Sequence, residues 1–171
     1  SEASAKTDVV QKLVPNALWY FRWAAAFTFL TGLYLLYWLS ITVNIGIVLG
    51  AVMGTIMAAN VWFVIWPNQK KVIAGAPDAA DAGAKAGLAS RTNTLFSLPM
   101  LYLMVYSAHG GSLPMIAESS MNSLWLGLAI ILLIEANALF GKMNAMITSV
   151  KAVIHSGVAL TVIFGLLVHY L

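Results

Sequence analysis

Cysteine is absent from the chain. Disulfides, thiolate-bound zinc, iron–sulfur clusters and covalently attached c-type haem are thereby excluded within it. Charge is scarce too, at 9% of residues, against about 25% in an ordinary soluble domain. Signatures of phosphate loops, His-Glu-x-x-His metal sites and nucleophile elbows are also missing. The segment Ser1–Gln11 lacks the basic start and short apolar run of a secretory signal. A removed initiator methionine and a native, untranslocated N-terminus are the expectation. No nucleic-acid partner is expected.

What the chain does have is apolar sequence, 61% of its 171 residues. So short a chain cannot hide that much apolar surface in one aqueous core, so lipid must be the solvent for most of it. About 20 apolar residues span a bilayer as a helix. Five segments qualify, at about 17–40, 41–66, 93–108, 123–141 and 145–171. The fold class expected is therefore all-α, one integral membrane bundle of five transmembrane helices over residues 1–171. Trp19, Tyr20 and Trp23 at one end of the first segment, and Tyr37 and Trp38 at the other, read as interfacial belts. The second segment is expected to stop at Pro67, which lacks the N–H a helix needs. The third is the shortest and contains Pro99. Residues 67–92 read as a loop, rich in Ala and Gly, in which Pro77 and Asp78 start a short interfacial helix.

Lys and Arg total nine, and five spans put all of them on one side. Lys6, Lys12 and Arg22 lie near the N-terminus, Lys70, Lys71, Lys85 and Arg91 in the 67–92 loop, and Lys142 and Lys151 around the last connection. Glu118, His109 and His169 fall on the other side. The positive-inside rule then predicts a cytoplasmic N-terminus and an external C-terminus. The location expected is a bacterial cytoplasmic (inner) membrane, with the lipid bilayer as the first partner.

Three constellations stand out. Gly46, Gly50, Gly54 and Ala58 recur every four residues and make a groove on one helix face. Such a groove admits a close neighbour, either a helix of the same chain or another subunit. Glu135, Lys151, His155 and Arg22 sit at similar depth by residue count, so a buried polar cluster is predicted. Its readings are a structural ion pair locking the last two helices, or a proton path or polar pocket open to the cytoplasm. The histidines raise haem b, with His155 as the ligand candidate at depth and His109 with His169 as a second pair near the surface. No cofactor or metal follows from these residues alone.

One stretch is more specific. It runs Asn60-Val-Trp-Phe-Val-Ile-Trp-Pro-Asn-Gln-Lys-Lys-Val-Ile, followed after the loop by Arg91-Thr-Asn-Thr-Leu-Phe-Ser-Leu-Pro-Met-Leu-Tyr-Leu-Met. This resembles the membrane domain of the bacterial membrane-bound urate oxidases, the urate oxidase N-terminal family. Arg22-Trp23 is similar to the family's Arg-Trp near its first helix. The chain departs from the pattern where Ala24–Ala26 and Thr92 stand in place of the family's usual histidines. The Cys-x-x-Cys-His of the family's cytochrome c domain is also missing from these residues.

The matched block places amide and cationic groups at helix ends. Asn68, Gln69, Lys70, Lys71, Arg91 and Asn93 are therefore a candidate site for an anion or lipid headgroup, or else a polar closure capping two helices. Three functions are consistent with all of this. The first is a membrane subunit, structural or assembling, of a larger redox or respiratory complex, with other membrane subunits as partners. The second, implied by the resemblance, is a urate-oxidase-like redox protein binding haem or a small anion. The third is a small transporter or proton-conducting protein.

Overall fold

The computed structural model of the chain describes residues 12–38, 43–109 and 121–170. Among them the fold is all-α. Five long helices follow one another: α1 (Val14–Trp38), α2 (Ile45–Ile73), α3 (Ala79–His109), α4 (Met121–Phe140) and α5 (Val150–Tyr170). Among the described residues α2, α4 and α5 are long and apolar enough to cross a membrane. The expected turn between the first two helices and most of the 110–122 loop, with Glu118, lie outside the described residues, as does Lys6.

Pro67 does not stop α2. The α-helix Ile45–Ala59 opens into a wide π turn at Asn60–Ile65 and resumes at Trp66–Ile73. The turn answers what proline takes away. Pro67 has no N–H and its ring crowds the preceding turn. In the π turn the Trp66 N–H reaches back five residues to the Val61 carbonyl. The Asn68 side-chain amide donates to the Val64 carbonyl at 2.8 Å. The backbone stays satisfied, and the helix runs on for about two more turns.

Residues 67–92 are correspondingly not a loop. α2 ends at a left-handed Gly75, φ 63°. The Ala76 N–H bonds the Lys71 carbonyl (3.1 Å) and the Gly75 N–H bonds the Val72 carbonyl (3.2 Å), the Schellman pattern that uses glycine for its missing Cβ. Lys71 donates to Asp78 at 2.7 Å across the same turn. The Lys71 hydrogen bond holds the exposed Asp78 carboxyl below its ordinary pKa. α3 then begins at Ala79, fourteen residues before the expected start at Asn93. Its small residues explain this: Ala82, Ala86 and Ala89 are buried and let α3 lie close along the end of α2.

α2, α3, α4 and α5 all contribute to the core, with Met53, Phe96, Leu103, Ile131 and Phe164 fully buried at the contacts. Pro99 is tolerated inside α3. At one end of the bundle Arg91 donates to the Ile147 carbonyl at 3.3 Å, tying α3 to the connection before α5. At the other end Asn44 caps α2 through the Ile47 N–H (2.9 Å) and accepts from the Ser107 hydroxyl (2.8 Å). α1 packs loosely, with no buried residue.

Candidate functional site

Three polar side chains meet inside the bundle. Asn60 sits at the first position of the π turn and is buried. Its side-chain amide has two N–H groups and spends both. One goes to Asn93 Oδ1 at 3.0 Å, the other to Glu135 Oε2 at 3.2 Å. Asn93 in turn donates to the Met57 carbonyl at 3.0 Å. The Thr92 hydroxyl, next to Asn93 and fully buried, donates to the Leu88 carbonyl at 3.0 Å and stays within its own helix.

So α2, α3 and α4 are bound together by Asn60, Asn93 and Glu135. No cation pairs with Glu135 among the described residues; its hydrogen bond comes from Asn60. In a medium without water such amide-to-carboxyl bonds are strong, and an unmatched group is costly. A carboxyl held by an amide can also exchange a proton without breaking an ion pair.

This corrects the predicted cluster of Glu135 with Lys151, His155 and Arg22. Lys151 and His155 are exposed on α5. Neither makes a hydrogen bond, ion pair or ring contact among the described residues. Similar depth along two helices does not determine which way each side chain points. Glu135 turns toward α2 instead, where Asn60 offers donors.

Arg22 is used differently. Its guanidinium lies over Trp66 at 4.1 Å, Trp62 at 5.0 Å and Trp23 at 5.5 Å. Trp23 also meets Trp62 edge to face at 5.7 Å. These contacts fasten α1 to α2. Lys70 lies over the same Trp66 ring at 4.0 Å.

The predicted anion set does not come together as one pocket. Asn68 bonds the Val64 carbonyl, Lys71 bonds Asp78 and Arg91 bonds the Ile147 carbonyl. Asn93 belongs to the interior cluster. Lys70 faces Trp66, and Gln69 is half-buried beside it in sequence. The groove on α2 packs within the chain. A Cβ on Gly50 would meet Met104 Cγ at 3.0 Å, and one on Gly54 would meet Met100 Sδ at 3.4 Å, both on α3. Gly46 is buried and Ala58 half-buried along the same helix. His169 stands edge to face against Tyr106 at 4.8 Å, and His109 is exposed.

Asn60 is the site residue that reasoning from spacing overlooked, although it heads the family-like block. The available signal was a lone amide deep in an apolar run. The tryptophan setting of Arg22 was equally hidden, because Trp62 and Trp66 fit an interfacial belt equally well.

A family model described as urate oxidase N-terminal matches residues 44–168. The match contains Asn60, Asn93 and Glu135 and begins after Arg22 and Trp23. Neither curated proteins nor solved structures yield a match.

Proposed function

The chain belongs to the urate oxidase N-terminal family, and from that premise we propose that it is a multi-pass protein of a bacterial cytoplasmic membrane, the membrane subunit of a larger redox complex. In this reading α1 and the Asn93–His109 part of α3 join α2, α4 and α5 as five crossings. The N-terminus is cytoplasmic. The α2–α3 hairpin turn and the α4–α5 connection emerge on that side, where Lys70, Lys71, Lys85, Arg91, Lys142 and Lys151 meet the anionic leaflet.

The observation that carries the reading is Glu135 held by Asn60, which also bonds Asn93, with no cation paired to it among the described residues. A carboxyl in a bilayer is a functional site by default. A purely structural role favours an ion pair, and none is present among the described residues. The function inferred is proton exchange near the cytoplasmic end of the bundle. A proton taken up there balances an electron arriving in an attached redox subunit.

Gentle purification from the native membrane tests this. Co-purifying redox subunits, and loss of proton uptake in Glu135→Gln with the complex still assembled, are the expected results. A solitary, colourless monomer, or unchanged uptake in Glu135→Gln, overturns the proposal. A second reading, a urate-like redox protein acting on a small anion, draws support from the family and from the retained Pro67–Lys71 block. Urate turnover by the isolated chain would establish it.

A further inference from the structure

Trp66 carries two cations. Arg22 from α1 lies 4.1 Å from its ring and Lys70 lies 4.0 Å from it. The two charges are therefore no farther apart than those distances added together. An anion reaching both would offset their mutual repulsion. The neighbouring Lys71 has its counter-ion in Asp78, whereas no carboxylate meets Arg22 or Lys70 among the described residues. The Arg22 Nε is buried and lacks an acceptor. Stacking uses the face of a guanidinium and leaves its rim of N–H donors free.

We propose that Arg22 and Lys70, gathered on the Trp66 ring, bind a phosphate-class oxyanion. The guanidinium rim donates to two of its oxygens and the Lys70 ammonium to a third. Trp66 orients both cations. The exposed Trp19 and Tyr20, on the α1 turn preceding Arg22, are residue types that settle at the headgroup level, where phosphates of this class are concentrated. The site differs from the interior Glu135 centre and does not rest on the redox reading.

The test uses the full chain in mild detergent and in nanodiscs. Retention of phosphatidylglycerol and of phosphatidylcholine is read by native mass spectrometry, and tryptophan emission is followed during titration with inorganic phosphate. The expected result is preferential retention of the anionic lipid, weakened about tenfold by Lys70→Gln and by Arg22→Gln and far less by Lys85→Gln. Lys70 is exposed and holds no other helix, so Lys70→Gln remains decisive even where Arg22→Gln loosens α1. Saturable, Lys70-dependent emission changes with inorganic phosphate would identify a free oxyanion as the ligand. A response to lipid alone would identify a headgroup. Equal retention of both lipids with no phosphate response, or binding indifferent to Lys70→Gln, overturns the proposal.

Discussion

Asn60 and Glu135 are 75 residues apart in sequence and 3.2 Å apart in the structure, joined by a hydrogen bond between helices α2 and α4. The same amide reaches Asn93, so one side chain holds three helices in register. Removing the donor and removing the charge should therefore have opposite effects. Asn60→Leu leaves the Glu135 carboxyl without its partner and should destabilise by about 1–3 kcal/mol. Glu135→Gln keeps the shape with less charge to desolvate and should match or exceed the parent. Thermal unfolding in detergent, completed as a double-mutant cycle with Asn60→Leu, measures the coupling. Equal losses for both single variants would contradict the assigned bond.

Gly50 is a point of close helix approach. A Cβ there would press on Met104 Cγ at 3.0 Å, with the Met100 carbonyl behind it at 3.6 Å. A methionine end can shift, so Gly50→Ala should be mild. Gly50→Leu should separate α2 from α3 and cost about 1–3 kcal/mol. Gly54→Ala, facing only the flexible Met100 Sδ at 3.4 Å, should be near neutral. The order of melting temperatures across the three checks this.

The α2–α3 turn should depend on Gly75 and on acidity. Gly75→Ala imposes a left-handed conformation on a side chain and should cost about 1 kcal/mol. The Lys71 hydrogen bond lowers the Asp78 pKa in the folded chain. The ionised form is then favoured by folding. Its contribution is complete above the ordinary carboxylate range and is lost as pH falls through that range toward the lowered value. Protection factors at Ala74–Ala76, with the intrinsic pH dependence of exchange divided out, should fall on acidification, and Asp78→Asn should remove that fall.

Arg22 helps to fasten α1 to α2. Arg22→Lys keeps the charge but loses the flat stacking surface, so exchange protection in α1 should fall while α2–α5 stay protected. A loss of about 1 kcal/mol is expected for a partly desolvated stack. Uniform loosening of all five helices would argue against a local clamp.

Much of the candidate site's chemistry was legible as residue types, and little of it as partnerships. Glu135 was visible as an intramembrane carboxyl from its place in an apolar run. Its partner was not, because residue counting yields depth along a helix and leaves rotation about the axis open. The π turn at Asn60 adds to this, since it shifts the helical phase of every residue beyond it. Arg91 reads as an anion ligand by residue type, but its guanidinium donates to the Ile147 carbonyl.

By itself the sequence determined the membrane character, the all-α class, the small-residue face of α2 and the family. These are sums over local composition and spacing, and tertiary contacts do not alter them. Tertiary structure alone decided that α2 passes through Pro67, that the Ala-rich run becomes the start of α3, and that Glu135 meets Asn60 rather than Lys151 or His155. Those outcomes depend on how neighbouring helices are rotated and how near they come. Packing between residues far apart in the chain sets both.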